Sequence, residues 1–202
     1  MSTYRETFGR RAVGGTDRVD GSDSQRAYVT GMAVALCGIL LYFASLLSAW
    51  VVRKGLAGGP EVPLDLPETL LGANTFVLIF SSAMLVLARR RLRAGNERGF
   101  RASWQAAIGI GSVFLLGQAM AWRQLAARGV FLASSPDASF FYLLTASHAV
   151  HLIGGIAGLI AAAWWPLRRM TRATAVKVAA MYWHFLAAVW TCVFVLLMVY
   201  GG

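Results

Sequence analysis

Residues 139–165 read SFFYLLTASHAVHLIGGIAGLIAAAWW, and this stretch decides what kind of molecule the chain is. Its 27 residues include no Asp, Glu, Lys or Arg. At about 1.5 Å per residue, a helix of that length more than crosses a hydrocarbon core of about 30 Å. His148 and His151 sit near its middle, followed by Gly154, Gly155 and Gly158. Ionisable groups at such depth are costly, so the pair demands a reason.

Outward from this segment the pattern repeats. Apolar runs cover about 27–52, 68–88, 102–126 and 175–200, so that with 139–165 there are five. Each is long enough to span, and a helix is how such a run satisfies its backbone in lipid. The composition agrees: 57% of the 202 residues are hydrophobic and mean hydropathy is +0.59. The expected fold is all-α, a polytopic bundle of five transmembrane helices over residues 27–202. Residues 1–26 are polar and rich in Arg, Gly, Ser and Asp, which predicts a flexible cytoplasmic tail. Ser134, Ser135, Pro136 and Asp137 form a helix-start signal ahead of the fourth span.

The net charge of +10 invites a nucleic-acid reading, but its placement excludes one. All nine carboxylates are terminal or lie in loops or at span ends, and the 19 Lys and Arg residues are equally segregated. The tail, the loop after span two and the loop after span four (with Lys177 at its border) carry 15 of them; the two remaining loops carry 4. The positive-inside rule puts the N-terminus in the cytoplasm and, with five spans, the C-terminus outside. Cys37 and Cys192 stand alone in apolar segments, without the clustering that a disulfide framework or zinc site needs; they read as small buried residues.

No Asp, Glu or Lys lies in the interior of a span, which disfavours an ion-coupled transporter. There is no phosphate-binding glycine loop, HExxH pair or acid/base carboxylate pair, so no catalytic residue is expected. The histidines remain. His148 and His151 share a helix face at spacing i, i+3. One reading makes them a haem or metal site, with His184 from span five, since imidazole is a common metal ligand. In that case the chain is a membrane cytochrome with its own haem. The other reading makes each a neutral ring that bonds a neighbouring helix or a lipid head-group. Same-face neighbours cannot clasp one iron from both sides, which favours the second. Gly154 and Gly158 form a GxxxG that predicts close helix approach. Gln118 predicts an interhelical hydrogen bond. Trp50, Trp122, Trp164 and Trp165, near span ends, read as interfacial anchors. Trp183 and Trp190, two turns apart, predict one packed face.

Taken together these residues resemble a known family. FYLLTASHAVHLIGG (141–155) is similar to the fourth span of the five-helix bacterial form of cytochrome c oxidase subunit III, with Tyr142, Thr145, His148, His151, Gly154 and Gly155 in the family's pattern. Tyr182-Trp183-His184-Phe185 followed by Trp190 resembles its fifth span. FLLGQAMAW (114–122) places Gln118 where the family has Gln, and LLYFASLLSAWVVR (40–53) matches the first span. Three positions depart: Ile39, Ala121 and Ala187 stand where the family usually carries acids, so proton feeding through such acids is not expected. The resemblance implies an accessory, non-catalytic subunit of a haem–copper terminal oxidase in the bacterial cytoplasmic membrane. It implies no cofactor in this chain, haem and copper in partner subunits, bound phospholipid, and contacts with subunit I and subunit II. The alternative is the same fold in a quinol oxidase or nitric oxide reductase complex.

Overall fold

The computed structural model describes residues 13–56, 67–164 and 171–200. They form five helices: α1 (Val13–Leu56), α2 (Glu68–Arg93), α3 (Glu97–Ala127), α4 (Pro136–Trp164) and α5 (Arg172–Tyr200). All five are long and apolar enough to cross a membrane. No strand occurs among the described residues.

The helices overrun the apolar stretches because backbone hydrogen bonding propagates cheaply from a formed helix. The difference is largest in α1, which starts at Val13 instead of near residue 27. Residues 13–26 are thus helical and continuous with the first span; residues 1–12 lie outside the described residues. At about 1.5 Å per residue this 44-residue helix is far longer than a bilayer core.

Local chemistry fixes the turns. Gly95 between α2 and α3 has φ 73°, a left-handed conformation open to glycine. The amides of Ala94, Gly95 and Asn96 then close back on the carbonyls of Arg90, Leu92 and Arg91. Asn96 caps α3 by accepting from the Gly99 amide at 2.8 Å. Before α4, Ser135 accepts from the Ala138 amide at 3.1 Å and Pro136 takes the first helical position. The helix-start signal read at 134–137 is therefore where the helix begins.

Packing centres on α5, which touches α1, α2 and α4, while α3 packs on α2 and α4. The α2–α3 hairpin is the most intimate pair. Its buried positions step by four and three: Phe100, Trp104, Ala107, Gly111, Phe114, Gln118, Ala121 and Leu125 on α3, answered by Leu71, Leu78 and Leu85 on α2. That 3.5-residue repeat is the spacing of knobs-into-holes packing. α1 is the outlier. Among the described residues it meets α4 and α5, and most of its residues from Gln25 onward are exposed. An ion pair between Arg53 and Asp137 ties its end to the start of α4, and the Trp50 indole donates to the same carboxylate at 3.3 Å.

Two expectations need correction here. Cys37 and Cys192 are both exposed, not buried; each sits on the outward face of its helix, which an apolar run cannot reveal. Trp50 is buried beside Asp137, and Trp122 donates to Thr145 Oγ1 at 3.0 Å, so both hold helices together rather than standing free at an interface. The Trp164 side chain and Trp165 lie outside the described residues.

Candidate functional site

The three histidines occupy three different environments. His148, mid-way along α4, is fully buried. Its ring lies 5.0 Å from that of Trp190 at 32°, and Phe43 and Phe114 present their edges at 6.1 Å. Neither ring nitrogen has a hydrogen-bond partner. His151, one turn on, is half-buried; its Nδ1–H donates to the Ser147 carbonyl at 2.7 Å, which fixes the proton on that nitrogen. Phe43 touches both rings, at 6.1 and 5.5 Å, so a side chain of α1 separates the pair from lipid on that side. His184 lies elsewhere, on the seam between α5 and α2, with Nδ1 hydrogen-bonded to Ser82 Oγ.

The three histidines do not converge on one point. His184 is engaged with α2, His151 with its own helix, and the His148 ring is enclosed by three aromatic rings. Among the described residues no three of His, Cys, Asp or Glu come together as a metal-holding group.

What surrounds the histidines is a set of cross-helix hydrogen bonds that composition alone does not announce. Trp190 donates to Thr75 Oγ1 at 3.0 Å, and Thr75 donates on to the Leu71 carbonyl. Asn74 donates to the Phe114 carbonyl at 3.0 Å, and Ser81 to the Ala107 carbonyl at 2.7 Å. Trp104 donates to the Leu159 carbonyl at 3.0 Å. Tyr182 donates to the His151 carbonyl at 3.2 Å, and Tyr42 pairs with Ser147 Oγ at 2.8 Å. The pairs α2–α3, α2–α5, α3–α4, α4–α5 and α1–α4 are each joined this way. The signal was available: a Trp, Thr, Ser or Asn inside an apolar run needs a partner in lipid. Its partner's identity was not.

Gln118 departs from expectation. It is buried, but neither its oxygen nor its nitrogen has a partner. Trp183 is also fully buried, its indole nitrogen unpaired. It wedges between α3 and α4. A Cβ on Gly111 would stand 2.5 Å from its ring, and one on Gly155 would stand 3.2 Å away. The GxxxG expectation is corrected in the same region. A Cβ at Gly158 meets nothing within 4 Å and one at Gly154 only the Tyr182 hydroxyl at 4.0 Å. Among the described residues no helix packs closely on them. They instead line an apolar groove of about 350 Å³ with Met32, Ala161, Ala175 and Ala179, between α1, α4 and α5. The close approach falls to Gly111, Gly117 and Gly155. Ile39, Ala121 and Ala187 pack into or against the core, which is therefore apolar at all three places.

Comparison with known proteins agrees with this architecture. The sequence profile of a family described as "Cytochrome c oxidase subunit III" matches residues 31–202. The chain is 31% identical over 194 residues to a protein of Mycobacterium leprae (strain TN) named "Probable cytochrome c oxidase subunit 3", covering 93% of this chain and 95% of that one. It is 30% identical to "Cytochrome c oxidase subunit 3" of Thermostichus vulcanus, covering 84% and 85%, and 27% identical to the protein of that name from Corynebacterium diphtheriae, covering 93% and 95%. The matched region takes in α1 from residue 31 onward, the histidine pair of α4 and the Tyr-Trp-His-Phe of α5, and the chain belongs to the cytochrome c oxidase subunit III family.

Proposed function

We propose that this chain is the accessory, non-catalytic third subunit of a respiratory haem–copper terminal oxidase in a bacterial cytoplasmic membrane. Its N-terminus is cytoplasmic and its C-terminus outside. Subunit I is its main contact, with subunit II in the same complex; haem and copper reside in those partners. The observation that carries this reading is the make-up of the interior. The buried polar side chains among the described residues are Asn74, Thr75, Ser81, Ser103, Gln118, Thr145, His148 and Thr174, with no carboxylate, Lys or Arg. A proton relay or redox centre needs titrating or ligating groups in mutual reach; here most of these groups fasten one helix to another. The groove beside Gly154 and Gly158 is apolar and open, a shape that suits a lipid acyl chain.

His184 suggests which face the partner covers. It lies near the middle of α5, half-buried, and its Nε2 has no partner among the described residues. Lipid tails offer an imidazole nothing to bond. A helix of the catalytic subunit carrying a hydroxyl or free carbonyl on the α2–α5 seam does.

The test is purification by a tag on this chain from its native membrane in mild detergent. A haem- and copper-containing oxidase core is expected to come with it; a preparation without haem would sink the proposal. The donor that reduces the co-purified core, cytochrome c or quinol, separates the leading reading from the quinol-oxidase alternative. A photo-crosslinker on Cys192, two turns beyond His184, is expected to capture the core more strongly than one on Cys37 of α1. The reverse order would move the docking face to α1.

A further inference from the structure

We infer that Gln118 of α3 and His148 of α4 enclose an internal water site at mid-membrane depth, the water bridging carboxamide and imidazole. The inference does not depend on the identity of the complex. It starts from two side chains that are 1% and 0% exposed and whose every polar side-chain atom lacks a partner.

Two hydrogen bonds fix the register of the antiparallel helices. Trp122 bonds Thr145, and Trp104 bonds the Leu159 carbonyl, each at 3.0 Å. Gln118 is one turn from Trp122, and His148 is one turn from Thr145, each toward the second bond. The two therefore stand at one level. Phe114, a further turn along α3, touches the His148 ring.

The neighbouring polar side chains already have partners of their own. Thr145 accepts from Trp122 and donates to the Phe141 carbonyl at 2.7 Å. Trp190 donates to Thr75, and Asn74 donates to the Phe114 carbonyl. What remains is a carboxamide with two donors and one acceptor, and a neutral imidazole with one of each. Leaving these bare is expensive where neither bulk water nor lipid head-groups reach. They make no bond to each other. A water, which donates two bonds and accepts two, complements both; buried waters typically satisfy about three such groups. A cation does not fit, because no anionic ligand stands at this level.

The direct test is a density map of the assembled complex at a resolution that shows ordered water. A peak within hydrogen-bond distance of both Gln118 and His148 is expected. A carboxamide bonded directly to the imidazole with no peak, or a peak touching only one of the two, overturns the proposal. Thermal unfolding of Gln118→Leu, His148→Phe and the double variant supplies a second arm, read within the same complex. If one water serves both, removing the second partner after the first costs little, so the fall in Tm for the pair is smaller than the two single falls added. Additive losses overturn it. Should His148→Phe not assemble, the map of the unmodified chain still decides.

Discussion

The α2–α3 hairpin and the α4 neighbourhood solve the same problem in opposite ways. Both must carry polar side chains through a membrane. Where α2 meets α3, Asn74 and Ser81 hold carbonyls of α3 and Thr75 one of its own helix, and a Cβ on Gly117 would stand only 2.3 Å from Asn74 Oδ1. Around α4 the economy is looser. Gln118, His148 and the Trp183 indole have buried atoms without partners, and Gly154 and Gly158 border open space. Without a hydrophobic force between helices in lipid, association rests on close packing and interhelical bonds. The hairpin is therefore the more closely knit half, and the surroundings of α4 are where buried polar atoms lack partners among the described residues.

The comparison can be broken at the glycines. Gly111→Ala drives a methyl to within 2.5 Å of the Trp183 ring, which Gly155 blocks on its other side. The expected loss is about 1–3 kcal/mol, the largest here, read as a lower Tm in detergent. An unchanged Tm would mean that Trp183 moves freely and the core is not close-packed. Trp190→Phe removes the donor to Thr75 while keeping an aromatic ring beside His148. About 1–2 kcal/mol is expected from the lost bond and volume. Asp137→Ala breaks the tie to Arg53 and Trp50 where the carboxylate is only 14% exposed. Its expected cost of about 1 kcal/mol is to be read as faster proteolysis of α1 from the bundle. Gly158→Ala is expected to change Tm by no more than the equivalent of about 0.5 kcal/mol. A cost matching that of Gly111→Ala would erase the distinction between the two halves.

How much of this was legible in the residues follows the same division. Five spans were readable because hydropathy needs only composition along the chain, and the start of α4 because Ser135 and Pro136 act locally. Which face of a span meets which neighbour depends on tertiary register, and there the reading failed. GxxxG drew attention to Gly154 and Gly158, whereas the clefts filled by side chains are at Gly111, Gly117 and Gly155. Trp50 and Trp122 looked like anchors by position, yet each finds a partner more than twenty residues away. Cys37 and Cys192 looked buried because their surroundings are apolar, but in a bilayer apolar surroundings are also the outside. For the histidines, the i, i+3 spacing placed His148 and His151 on one face of α4. The aromatic enclosure by Phe43, Phe114 and Trp190 comes from three other elements and had no local signal.

The account's central claim is that this chain supports an oxidase core without taking part in its chemistry. The measurement that tests it most directly is removal of the chain from the purified complex, followed by haem spectra and oxygen consumption over many turnovers. The account predicts unchanged haem spectra, an initial rate close to that of the whole complex, and a steeper loss of activity as turnover continues. Loss of haem, or an initial rate near zero that returns only when the chain is added back, would contradict it.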